Sequence, residues 1–127
     1  MPEAELGLFR AEGRMAAVKA QGVSAGDVVV PGIVAVAAFG HEVGHTAYQV
    51  ENLLIWGDVV HVPSAQFADP GLTWSFDTDP SAAHQTRLHL FDCAVRERLW
   101  VAGAHLDFPG IGRVVADGAG YGFVSLE

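Results

Sequence analysis

The sequence predicts an α+β domain in which a mixed sheet is flanked by helices. Three features carry that prediction. Runs rich in β-branched and aromatic residues recur as short segments bounded by turn residues. One well-marked amphipathic helix begins at Asp79-Pro80. The strand-like segments come in runs, before and after that helix, instead of alternating strictly with helices.

Taken in order, residues 3–20 place Leu6, Phe9, Ala16 and Val18 among charges, a weak helical pattern diluted by Gly7 and Gly13. "QGVSAGD" is a loop. "VVVPGIVAVAA", Val28 to Ala38, reads as one strand interrupted at Pro31-Gly32. "TAYQVE" and "LLIWGD" read as two short strands joined by a turn at Asn52, a hairpin. A long polar connection with Pro63, Pro70, Gly71 and several aspartates runs to Asp79. There an Asp N-cap followed by Pro at the first helical position starts a helix that extends to about Arg98. Leu88, Phe91, Val95 and Leu99 form its expected apolar face, opposite Gln85, His89, Asp92 and Arg96. "LWVAGA" is a buried strand ending at His105, and "RVVADGAGYGFVSL" has the alternation and Asp-Gly turn of a closing hairpin.

The totals bound the function classes. At 127 residues the chain is a single domain, 1–127, with half its residues apolar and 17% charged, a packed and ordered composition. Fifteen acids against seven bases give a net charge of −8, and the only basic cluster is the short Arg96 to Arg98 stretch. Neither nucleic acid nor an anionic membrane is an expected partner. The longest apolar run, Val28 to Phe39, is broken by Pro-Gly and is too short to span a bilayer. With no signal segment at the N-terminus, the reading favours the cytoplasm. Cys93 is the only cysteine, so no internal disulfide forms; its place among Phe91, Ala94 and Val95 suits packing better than nucleophilic chemistry.

"FGHEVGHTAY", Phe39 to Tyr48, contains HEVGH, which fits H-E-x-x-H. On a helix, histidines four apart share a face and can hold one zinc while the glutamate acts as base, the arrangement of a zinc metalloprotease. That reading requires about three helical turns around Glu42. The flanks are β-rich, and Gly40 and Gly44 each cost about 1 kcal/mol in a helix interior. The other arrangement is strand, tight glycine loop, strand.

In that second form "FGHEVGHTAY" resembles the G-H-T-x-G-H-T loop of metallo-β-lactamase-fold hydrolases. The resemblance continues through "LLIWGDVVH", with Gly-Asp after a strand, and "GAHLDFPGIG", with a histidine at a strand end. "QFADP", "FDTDPSAAHQTR" and "GYGFVS" are similar to the branch of methyl-parathion-hydrolase-like organophosphate hydrolases and lactonases. It spans about residues 30 to 126. It implies the C-terminal half of an αββα sandwich. It also implies metal ligation by His41, Asp58 and His105, with Asp58 orienting the attacking water. Two imidazoles and a carboxylate suit Zn2+ or a similar divalent ion, which would furnish a hydroxide nucleophile at neutral pH. His45 and His61 are expected to brace the loop or line the pocket, His84 and His89 to face solvent. Trp56, Trp74, Trp100 and Phe67 are expected to pack, although Trp74 and Phe76 sit in a loop that could wall a pocket.

The family's H-x-H-x-D-H signature, which supplies four metal-binding residues from the N-terminal half, is absent, and Glu42 stands where the loop usually has Thr. The implied function is therefore hydrolysis of a small-molecule ester, lactone or phosphotriester, impaired by truncation, with at most one metal ion per chain. The alternative is a non-catalytic metal-binding or oligomerising remnant of the fold, and the third reading is the zinc protease. A lone half would leave an apolar sheet face uncovered, so a homodimer or higher oligomer is expected.

Overall fold

The computed structural model describes residues 22–126; the helix expected over residues 3–20 lies outside them. Seven strands form one sheet: β1 (Val28–Val30), β2 (Ile33–Ala37), β3 (Thr46–Val50), β4 (Leu53–Gly57), β5 (Trp100–Gly103), β6 (Ile111–Asp117) and β7 (Gly120–Ser125). Their order across the sheet is their order along the chain. Every neighbouring pair is antiparallel except β4 and β5, which run parallel. A parallel pair needs a long crossover, and here it holds a short α1 (Pro63–Gln66) and the longer α2 (Pro80–Arg96).

The stretch expected to be one interrupted strand is instead a hairpin. Pro31-Gly32 turns the chain, and Val28 and Val30 pair with Val34 and Ile33. Proline has no N–H for a central ladder, so the break falls where the motif stands. The β3–β4 hairpin turns through Glu51-Asn52, with Val50 opposite Leu53. The closing hairpin pairs Asp117 with Gly120. Asp79 caps α2 by accepting from the Ala82 N–H at 3.1 Å, and Pro80 occupies its first position.

The buried face of α2 matches the expected one at Phe91 and, just past the helix end, at Leu99, and differs elsewhere. Ala83, Arg87, Leu90, Phe91 and Ala94 are buried, whereas Leu88 and Val95 are half-buried. The inward stripe is centred on Arg87, a residue whose charge disguises it in a hydrophobic pattern. The short α1 is likewise hidden in the polar connection. It buries Gln66, and the next residue, Phe67, joins the core.

One sheet face meets the helices. Leu54, Trp56, Val101 and Val114 from the strands pack against Leu90, Phe91 and Ala94 of α2. Phe67 is stacked between Phe91 and Phe123, with centroids 4.8 and 5.3 Å away, and Trp56 lies 5.5 Å from Phe91. Aromatic burial of this kind dominates core energetics. The opposite face carries a paired row of Ile33, Val50, Leu53, Trp100, Arg113 and Val124. The Arg113 guanidinium covers the Trp100 ring at 3.9 Å. On this side Ile55, Val115 and Val124 are 39–56% exposed.

Cys93 is half-buried on α2 and its thiol donates to Glu97 Oε2 at 2.8 Å. Burial, then the Glu97 carboxylate, push the thiol up to about 11.

Two measurements check this packing. Phe91→Ala is expected to lower unfolding free energy in urea by about 3–5 kcal/mol, because the ring fills the centre of the core. At pH 8 the raised thiol pKa leaves little thiolate. Alkylation of Cys93 by iodoacetamide should therefore run roughly tenfold slower than that of free cysteine, the lost thiolate being partly offset by greater nucleophilicity.

Candidate metal centre

Strand direction alone brings three strand ends to one rim. With β2 and β3 antiparallel, β3 and β4 antiparallel, and β4 and β5 parallel, the C-terminal ends of β2, β4 and β5 all point the same way. His41 lies in the loop after β2, Asp58 follows β4 directly, and His105 stands two residues beyond β5.

The side chains converge. His41 Nε2 is 3.4 Å from Asp58 Oδ2, and His105 Nε2 is 2.9 Å from Asp58 Oδ1, so the carboxylate lies between two imidazoles. His61 completes the cluster, its ring 4.7 Å from His41 and 4.8 Å from His105. His41, Asp58 and His61 each offer a ligand atom within 4.8 Å of the others. The sequence alone suggests a bracing or pocket residue at His61; the fold sets it among the potential ligands, three positions after Asp58. Phe76 from the long connection stacks on His61 at 4.7 Å, so the loop aromatic does wall this site, while Trp74 backs Phe76 at 5.7 Å.

His45 has a different part. Its Nδ1 donates to the Ala38 carbonyl at 2.8 Å and its Nε2 accepts from the Asp58 N–H at 3.1 Å. Both ring nitrogens are used, so it ties the β2–β3 loop to the backbone that carries Asp58. This arrangement overturns the protease alternative. HEVGH is a series of turns between β2 and β3, with no helix over it, so His41 and His45 do not share a helix face. Glu42 is exposed.

Two glycines make these turns possible. Gly57 has φ 60, and a Cβ there would stand 2.9 Å from His45 Nε2; only glycine can both reverse the strand and admit the imidazole. Gly40, at φ 131, lies so close to the start of α2 that a Cβ would collide with the Ala83 backbone. The Gly40 and His41 carbonyls accept from the Asp79 and Thr78 N–H groups at 2.8 and 2.9 Å, which clamps the histidine loop to the helix start.

Two buried side chains hold the crossover loop. Gln66 Oε1 accepts from the His61 and Val62 N–H groups at 2.7 and 3.0 Å, and its Nε2 donates to the Leu72 carbonyl. Arg87 donates to the carbonyls of Val59, Pro70 and Leu72. Burial of the imidazole, followed by the neighbouring His41, lowers the His61 pKa, which favours the neutral ring that a metal requires.

The donor set fits a divalent ion: up to three imidazoles and one carboxylate, a borderline N/O set suited to zinc. Among the described residues, the buried Nδ1 atoms of His41 and His61 have no hydrogen-bond partner. Gly57→Ala is expected to cost about 1–2 kcal/mol from left-handed strain alone, with displacement of His45 added, and to lower the melting temperature by roughly 5–15 °C in thermal denaturation.

No protein-family profile and no curated protein matches the chain. Solved structures do. A crystal structure of "hydrolase AbOPH in beta lactamase superfamily" is 29% identical with TM-score 0.80, over 96% of this chain and 42% of that one. AidC, a dizinc quorum-quenching lactonase in complex with a product, is 20% identical with TM-score 0.80, over 99% and 45%. A probable metal-dependent hydrolase from Staphylococcus aureus is 18% identical with TM-score 0.65, over 83% and 39%. The chain thus spans less than half the length of these structures. It folds as one portion of a metallo-β-lactamase fold, with hydrolases of that superfamily as its structural neighbours.

Proposed function

We propose that the chain forms part of a metal-dependent hydrolytic centre for small-molecule esters, lactones or phosphotriesters. The convergence of His41, Asp58, His61 and His105 at the shared end of β2, β4 and β5 carries this reading. His41, Asp58 and His105 are the assigned ligands, with His61 in reach as a fourth. Zinc held by these residues would lower the pKa of a coordinated water to near neutrality and polarise the scissile group. Asp58, with an oxygen toward each flanking histidine, holds position at the cluster's centre and can accept a hydrogen bond from the attacking water. Phe76, stacked on His61, forms an apolar wall that limits water beside it. Near the rim loop an apolar cleft of about 430 Å3, walled by Phe39, Val43 and Ala82, suits an acyl or aryl substituent. The dizinc lactonase among the neighbours supports zinc and a lactone; one ion per chain is proposed, since three or four donors complete the coordination of one zinc and not of two.

The second reading is a metal-binding, oligomerising module without turnover. The exposed Ile55, Val115 and Val124 on the face away from the helices favour association of two copies. Light scattering of dilute protein should then return twice the chain mass, and a monomer mass rejects the association.

Assays on an N-acyl homoserine lactone and an aryl phosphotriester, with and without zinc, separate the two readings. Zinc-dependent turnover that His41→Ala reduces at least about a hundredfold supports the hydrolase. Zinc binding by calorimetry with no turnover supports the module. Glu42→Gln should leave kcat within about twofold, as an exposed carboxylate outside the cluster is no general base, while its place on the cleft lets it move KM.

A further inference from the structure

We infer that Asp77, held by Arg87, is the positioning residue that sets the tautomer of His41, so that Nε2 faces the cluster as a free lone pair. This rests on His41 being a metal ligand, as proposed above.

A buried charge persists where its partners are fully supplied. The Asp77 and Arg87 side chains are both 0% exposed. Arg87 Nη1 reaches Asp77 Oδ2 at 3.4 Å, and Thr73 Oγ1 donates to the same oxygen at 2.9 Å. The other oxygen has no such tie. Among the described residues, buried Asp77 Oδ1 and His41 Nδ1 have no hydrogen-bond partner, and they face each other at 3.4 Å. An acceptor-only oxygen opposite a ring nitrogen calls for an N–H there. Asp58 Oδ2 stands the same 3.4 Å from Nε2, but the Asp58 side chain is 33% exposed and can draw donors from water, whereas Asp77 Oδ1 is buried against this ring. A proton on Nδ1 leaves Nε2 unprotonated toward the cluster. A carboxylate behind a ligating histidine orients the ring and raises its basicity. Arg87 also grips the Val59, Pro70 and Leu72 carbonyls. The carboxylate's place is therefore set by the segment that follows Asp58.

The test is Asp77→Asn, read by NMR on the metal-free full chain and by calorimetric zinc titration. Arg87 has donors only, so the oxygen of the introduced amide should stay with it and the amide NH2 should turn to His41 Nδ1. That forces the proton to Nε2. In the unmodified chain, long-range 15N–1H correlation at a pH where the ring is neutral should show His41 as the Nδ1–H tautomer. The variant should show Nε2–H and bind zinc about 10–100-fold more weakly, while Asp77→Glu should keep the Nδ1–H tautomer. An Nε2–H tautomer in the unmodified chain overturns the inference, and needs no variant to fold. So does an Asp77→Asn variant with unchanged tautomer or unchanged zinc affinity. Should the tautomers behave as expected while the unmodified chain binds no zinc, the Asp77–His41 pairing stands and the metal reading falls.

Discussion

The parallel pairing of β4 with β5 is the constraint on which the site depends. Leu53, Leu54 and Ile55 lie beside Trp100, Val101 and Ala102, which sends both strands out of the sheet at the same rim. Had they been antiparallel, Asp58 and His105 would sit at opposite ends of the sheet, a strand length apart. The pairing also obliges the chain to cross over the sheet between them. That crossover covers the core with α2, and it delivers His61, Phe76 and Asp77 above the strand ends. Covering the core and furnishing the site are one topological act.

The crossover loop has little regular structure to hold it, and buried polar side chains take that role. Gln66 secures the backbone of His61 and Val62, and Arg87 secures three carbonyls and a carboxylate. Each such group forfeits hydration on burial, and its multiple partners offset most of that loss. Their contribution is best understood as choosing one path for the loop over many of similar compactness. The apolar cluster around Phe91 supplies stability without that discrimination.

Much of the rim was legible in the chain itself, because its information is local. Apolar runs punctuated by Gly-His, Gly-Asp and Gly-Ala-His mark strands with polar residues at their exits, and Asp79-Pro80 marks a helix start. The order of those exits is what makes the chain resemble metallo-β-lactamase-fold hydrolases, and its structural neighbours have that fold. What escaped is information held at long range. Arg87 reads as a surface charge until its acceptors at positions 59, 70 and 72 are brought to it, and this shifted the expected inner face of α2 by one residue. His61 gains its place through Gln66, whose burial no periodicity announces. Asp77 is one aspartate among several in a polar tract. HEVGH misleads in the opposite sense: five letters fit a helical signature, while two glycine-dependent turns and the Asp58–His45 bond enforce another geometry.

Because one guanidinium on α2 grips carbonyls spread from Val59 to Leu72, the loop has no private way of coming loose. Letting go of any one stretch strands a buried cation, so local breathing at the rim is coupled to detachment of the helix from the sheet. The reactive edge of the molecule and its apolar interior consequently open as one cooperative unit. Backbone amides around His61 should be among the slow class in solvent exchange, as though they belonged to a strand.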